Sequence, residues 1–258
     1  MQTNKFGTIK SRKAFTLIEL SVVLVVIGLI VAAVVAGQNL VSQAKLRNLI
    51  KEQENTRQAI SAFKLRFSAL PGDFSNAYAF WGSSCAAGGA ADCNGDGDSQ
   101  IEISGTDVND GMEGYRFWQH LNLAGIYPGS YTGIGAGTDA DASAPEGTIN
   151  VNIPASKVTG VGITPIYNSG TTYLTASYSG NILLFGGAVT DEIAAANRFS
   201  APDAYSVDVK ADDGAPTSGT MRSKGSSGTD ATDCVDSSTS AYNLDSTSAT
   251  PCGIAFTL

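Results

Sequence analysis

Residues Phe15–Ala36 read FTLIELSVVLVVIGLIVAAVVA, 22 residues in which Glu19 is the single charged side chain. As a helix rising ~1.5 Å per residue this run is about 33 Å long, close to the ~30 Å hydrocarbon core of a bilayer. A charge inside such a span is unfavourable by about 2.5–3.5 kcal/mol on insertion scales, which marks Glu19 as a functional candidate. Upstream, Lys5, Lys10, Arg12 and Lys13 stand in the first 14 residues with no acid. Basic flanks stay cytoplasmic, so the chain beyond the span is expected outside. A cleaved secretory signal fits poorly: the run exceeds the usual ~7–15 apolar residues, holds a carboxylate and leads into more helix.

That further helix is legible in the periodic residues Leu40, Val41, Ala44, Leu49, Ile60, Phe63, Phe67 and Leu70. Pro71-Gly72 stops it, so a single helix over about 15–69 is expected, its outer half amphipathic. This half carries Lys45, Arg47, Lys51, Arg57, Lys64 and Arg66 against Glu52 and Glu54, whereas residues 67–258 hold 21 acids and six bases. The acidic part has no basic, aromatic-interleaved surface, which excludes direct nucleic-acid binding. The basic helix face is either a solvated surface or a surface drawn to the acidic heads of neighbours.

Beyond Pro71 the chain reads as a loop over 83–105 and a helix over about 111–124. That helix would be entered through Asp110-Gly-Met-Glu113, which has capping-box spacing. A polar loop follows over 129–147, then strands over 157–167, 171–178 and 181–189, a short helix over 190–198 and a strand over 204–210. Residues 215–251 are dominated by Gly, Ser, Thr and Asp. The fold class is therefore α+β: a long N-terminal helix, transmembrane in one half and amphipathic in the other, packed on an antiparallel-sheet globular head. There is no internal repeat.

Four cysteines, Cys85, Cys93, Cys234 and Cys252, all lie beyond the span and form no CxxC. They read as two disulfides of an oxidising compartment. Four cysteines allow three pairings, and Cys85–Cys93 with Cys234–Cys252 closes the shortest loops. Catalytic motifs are missing: there is no HExxH, GxSxG or Gly-Lys phosphate loop, and the single histidine, His120, lies in a helix as a packed or surface residue. The glycines of 133–137 make no nucleotide site. No enzyme activity is expected. Asp92, Asn94, Asp96 and Asp98 alternate with Cys93, Gly95 and Gly97 and offer hard oxygens at calcium-loop spacing, but position twelve is Ile103 and Glu102 is one residue early. The segment is either a Ca2+ site or a solvated Asp/Gly turn.

Ser11-Arg-Lys-Ala-Phe-Thr-Leu-Ile-Glu-Leu20 resembles the processing signal of type IV pilins and type II secretion pseudopilins. The resemblance implies a pilin-like fold, cleavage between Ala14 and Phe15 by a prepilin peptidase, N-methylation of Phe15, and an assembly role for Glu19. Ala14 stands where that family usually has Gly, and Ala36 where many major pilins have Pro. Gly28 and Gly37 would weaken the helix instead. Ser68–Phe74 and Asp208–Gly219 look like segments of larger pilin-like proteins, and the Cys234/Cys252 pair like the loop closing many pilin heads. The implied parts are a leader over 1–14, a transmembrane half-helix over 15–36, an amphipathic half over 37–70 and a head over 71–258. The implied function is a filament subunit, minor or specialised, in a pilus or secretion pseudopilus. Its partners would be the peptidase, other pilin or pseudopilin subunits and an inner-membrane assembly platform. The protein would sit in the inner membrane with a periplasmic head before entering a filament. The alternative is a membrane-anchored ligand-binding or enzymatic domain.

Overall fold

The computed structural model describes residues 16–85, 93–103, 112–135, 146–170, 173–174, 177–189, 193–224, 231–236, 238–249 and 251–258. They divide into two units, one ending at Ala44 and one formed by Lys45–Leu258.

Helix α1 runs over Leu17–Phe67. In the first unit its large apolar side chains, from Leu17 to Val41, are all exposed. In the second unit a buried stripe begins at Leu46 and continues through Leu49, Gln53, Thr56, Ala59, Ile60 and Phe63. The spacing is helical, but Leu40 and Val41, expected on that face, are 73% and 56% exposed. Thr56 satisfies its hydroxyl within the helix, on the Glu52 carbonyl at 2.9 Å. Glu52 in turn ties the helix to the head: Oε2 accepts from the Ser156 hydroxyl at 2.6 Å and Oε1 from the Lys157 N–H at 2.7 Å. The helix ends where Ser68 takes φ 55° and Gly72 φ 89°. A Cβ on Gly72 would stand 2.4 Å from the Glu113 carbonyl oxygen, so both conformation and space require glycine there.

Short helix α2 (Ala77–Trp81) and α3 (Glu113–Leu123) follow, then strands β1 (Gly162–Asn168) and β2 (Gly180–Gly186). Helix α4 (Ala201–Ala211), β3 (Met221–Lys224), α5 (Ala231–Cys234), β4 (Val235–Asp236), β5 (Ala241–Tyr242) and β6 (Gly253–Thr257) complete the chain. Strands β1, β2, β6 and β3 make an antiparallel sheet in that order, and β4 pairs with β5. The head is α+β. The sheet is covered on both faces. Leu183, Phe185, Ile254 and Phe256 join the core that holds Phe63, Phe117 and Trp118, while Ile182, Leu184, Ile166 and Ala255 form a second cluster with Ile193. Double coverage explains why β2 reads as an unbroken apolar run rather than an alternating one.

Five expected elements differ. Residues 204–210 are helical, within α4, because Ala201, Ala204, Val207 and Asp208 fall on one buried helix face. Ser200 caps that helix by accepting the Asp203 N–H at 3.2 Å, and Pro202 lies in its first turn. The alternating Tyr205, Val207 and Val209 suggested a strand, yet the Ser-Ala-Pro-Asp start signal outweighs them. The expected helix over 190–198 is extended from 193 on, since Ala196 exchanges both backbone hydrogen bonds with Gly187 at 2.8 and 3.0 Å. The first strand begins at Gly162 rather than 157, and described residues 173–174 and 177–178 are not in a strand. Finally, α3 starts at Glu113 with Met112 as an N-cap whose side chain makes no capping bond to the helix, and Asp110 lies outside the described residues.

Candidate functional site

Two places concentrate chemistry: the start of α1 and the acidic loop beside α3. Ala14 and Phe15, the expected cleavage pair, lie outside the described residues. Immediately after them, the Thr16 N–H and hydroxyl both donate to Glu19 Oε2, at 2.7 and 2.8 Å, and the Glu19 N–H donates to Thr16 Oγ1 at 3.3 Å. This reciprocal arrangement is a capping box, and Thr16-Leu-Ile-Glu19 has its T-x-x-E spacing. First-turn N–H groups left bare in lipid cost several kcal/mol each, so Glu19 has a local task as well as a charge. That task was readable from the spacing but is missing from a reading that gives Glu19 to subunit pairing alone. Helix α1 is long and apolar enough to cross a membrane, its most apolar 18-residue window having a mean hydropathy of 3.0 and no burial.

At the second place, Asp73 arrives on the turn after α1 and Glu113 at the first position of α3. Both are buried, Glu113 completely. Together with Asp96 they bring carboxylate oxygens within 4.8 Å of one another. The loop between Cys93 and Ile103 hangs on these groups. Asp73 accepts from the N–H of Gly97 at 2.6 Å and of Ser99 at 2.9 Å, and Glu113 from the N–H of Asp96 at 3.1 Å and of Glu102 at 3.2 Å. Gly95 allows this closeness, since a Cβ there would stand 2.4 Å from Asp73 Cα. Burial pushes the Glu113 carboxyl up to about 9, and its bond to the Glu102 side chain pushes the same way. Burial also raises Glu102, and lifts Asp73 to about 6 against the lowering effect of its two N–H donors. Burial thus favours the protonated form at both glutamic acids, Glu113 above all.

Of the residues expected to hold calcium, Asp92 lies outside the described residues. Asp96 belongs to the cluster with Asp73 and Glu113. The Asn94 side chain accepts the Tyr78 N–H at 2.8 Å, and Asp98 accepts the Gln100 N–H at 2.7 Å. Asp73 and Glu113, distant in sequence, carry no motif that would have added them to the set.

The disulfides are Cys85–Cys93 and Cys234–Cys252, all four sulfurs buried. The first anchors the acidic loop at its start. The second clamps the end of α5 to the start of β6. His120 is fully buried: its Nδ1 accepts the Gly72 N–H at 3.0 Å, and Nε2 lies 2.9 Å from the Cys93 carbonyl, to which it therefore donates. Burial lowers its pKa to about 3, so it stays neutral and holds the Pro71-Gly72 turn to the first disulfide. A second acidic group plays the same loop-holding part. Asp212 accepts the N–H groups of Thr220 and of Met221, the latter at 3.0 Å, and Asp213 accepts from Ala215 N–H and the Ser218 hydroxyl. Asp208 accepts the Tyr242 hydroxyl at 2.8 Å, fastening β5 to α4.

Residues 9–35 match the family described as the prokaryotic N-terminal methylation motif. The match covers the basic approach, the Ala14-Phe15 junction, Glu19 and most of the apolar run, so the chain carries a prepilin-type processing signal of the kind found on type IV pilins and pseudopilins. No curated protein and no solved structure matches the chain.

Proposed function

We propose that this protein is a structural subunit of a pilus or secretion-pseudopilus filament, minor or specialised in role. The single observation behind this reading is a methylation motif over 9–35 that overlaps the start of an apolar helix whose most apolar stretch is left uncovered by the described residues. Exposed apolar area of that extent belongs in lipid or against other apolar helices. A filament subunit uses both in turn: α1 stores the protein in the inner membrane with the head outside, then becomes part of a packed helical centre. The leader over 1–14 is removed by a prepilin peptidase, and an assembly platform passes the mature subunit, helix 15–70 with head 71–258, to its neighbours. Catalysis is not required. The reading predicts a mature chain that begins at Phe15 with a methylated amine. Intact-mass spectrometry of membrane or filament material tests it, and a retained leader or a cut elsewhere would refute it.

Calcium at the acidic loop belongs to the same proposal, supported by the hard oxygens of Asp96, Asp73 and Glu113 within one small volume. A cation there would replace the proton that burial favours on Glu113 and hold the loop through charge. Binding to the folded state alone stabilises by mass action. The full chain in detergent should therefore melt several degrees higher in millimolar calcium than in chelator. Equal melting temperatures would leave the loop as a proton-held turn.

A further inference from the structure

Between Leu17 and Ala44 the sequence has one charge, Glu19, and then three cations come within seven residues: Lys45, Arg47 and Lys51. All three are exposed. Among the described residues none of them has a hydrogen-bond or ion-pair partner. Glu52, the nearest acid, has both oxygens committed to Ser156 and Lys157. The exposed apolar side chains run up to Leu40 and Val41. At ~1.5 Å per residue, Lys45, Arg47 and Lys51 stand about 6, 9 and 15 Å along α1 beyond Val41. The polar zone on each side of a bilayer core is about 5–8 Å thick. Long basic side chains reach back toward such a zone along their own stems.

We propose that Lys45, Arg47 and Lys51 form a binding surface for anionic phospholipid headgroups in the leaflet that faces the head. The inference rests on the membrane-anchored reading given above. Continuity decides between the two available anions: the cations begin one helical turn past the last exposed apolar residues, where lipid phosphates lie, whereas the acids of a second copy must be brought there by assembly. Removal of the leader would take away Lys5, Lys10, Arg12 and Lys13 and leave this cluster as the basic flank of the span. The surface then sets the depth of the stored subunit, and its lipids must be left behind when the subunit enters a filament.

The full chain is reconstituted in vesicles of phosphatidylcholine with and without phosphatidylglycerol, released, and the retained lipid identified by native mass spectrometry. Wild-type protein should retain phosphatidylglycerol well above its share of the vesicle, by about fivefold for each cation near the surface, and lose the excess at high salt. The triple variant Lys45→Gln/Arg47→Gln/Lys51→Gln should insert equally but retain far less phosphatidylglycerol than wild type, since the leader cations Lys5, Lys10, Arg12 and Lys13 are common to both. Equal enrichment in wild type and variant, or none in wild type, overturns the inference. Wild type without enrichment that instead forms carbodiimide cross-links from these lysines to acids of another copy also overturns it and assigns the cations to a second subunit. Carbonate-resistant flotation with pure phosphatidylcholine vesicles checks anchoring separately, and failure there overturns the anchored reading and this one with it.

Discussion

Glu19→Gln is expected to leave cleavage and membrane insertion near wild-type levels and to reduce incorporation into sheared filaments to little or nothing. The argument separates two tasks that the native side chain combines. As a cap, Glu19 accepts the N–H and hydroxyl of Thr16 through one oxygen. A glutamine amide oxygen can accept the same bonds, so the first turn of α1 survives the change. As a charge, Glu19 sits in an apolar helix where an unpaired carboxylate is unfavourable, and in the proposed filament its partner after processing would be the positive amine of Phe15, either its own or that of a staggered neighbour. A pair of that kind offsets desolvation in one axial register, and every other register leaves two bare charges. Glutamine keeps the cap and removes the register. Glu19→Ala removes both and should in addition weaken the helix start by about 0.5–2 kcal/mol. Quantitative blots of sheared filaments decide the matter: wild-type levels of Glu19→Gln would refute the pairing role and leave capping as the function of this carboxylate.

Stability of the head should rise as pH falls from about 9 to about 4.5, opposite to a protein held by salt bridges. Glu113, Asp73 and Asp208 all have carboxyls raised by burial, to about 9, 6 and 6. A raised group favours the folded state fully below its ordinary value and loses that contribution as pH climbs through the folded value. For Glu113 the loss extends from about 4.5 to about 9, and for the two aspartates from about 3.8 to about 6. His120, lowered to about 3, works the other way, its contribution being complete above 6.5 and lost as pH falls toward 3. Above 6.5 Glu113, with its neighbour Glu102 raised in the same direction, sets the trend, and one proton of difference changes stability by about 1.4 kcal/mol per pH unit. Between 6 and 4.5 three carboxyls outweigh one imidazole, so the trend continues. Denaturant midpoints of the full chain in detergent, followed by tryptophan fluorescence, test this. Midpoints that stay flat or increase from pH 6 to 9 would contradict it. Glu113→Gln mimics the protonated acid and should abolish most of the fall above 6.5, and should weaken the trend between 6 and 4.5 to what Asp73 and Asp208 supply against His120.

The two predictions draw on different layers of the molecule. Glu19 is legible from a one-dimensional pattern: a carboxylate four residues after Phe15 inside an apolar run. Glu113 is not, because its weight comes from burial beside Asp73 and beside Asp96 and Glu102, residues from two other stretches of chain. A carboxylate that reads as the end of a capping box at the start of α3 turns out to hold a loop instead.

By itself the sequence determined the elements whose cause is local. The apolar run specifies a helix long and apolar enough to cross a membrane, the Pro71-Gly72 pair ends that helix, and the amino-terminal residues spell a prepilin-type signal, all through the chemistry of residues close together along the chain. Tertiary structure decided what depends on distant neighbours. Residues 204–210 became helix because the capped start at Ser200 and a buried face on Ala204, Val207 and Asp208 outweighed β-branched alternation. Residues from 193 to 200 stayed extended because Gly187 and Cys252 offered backbone partners across the fold. The acidic loop was recognisable as oxygen-rich, but which oxygens converge, and that burial raises their carboxyls, follows from Asp73 and Glu113 being carried to it by the turn after α1 and by the start of α3. Burial of a carboxylate is set by everything packed around it, and no window of sequence contains that.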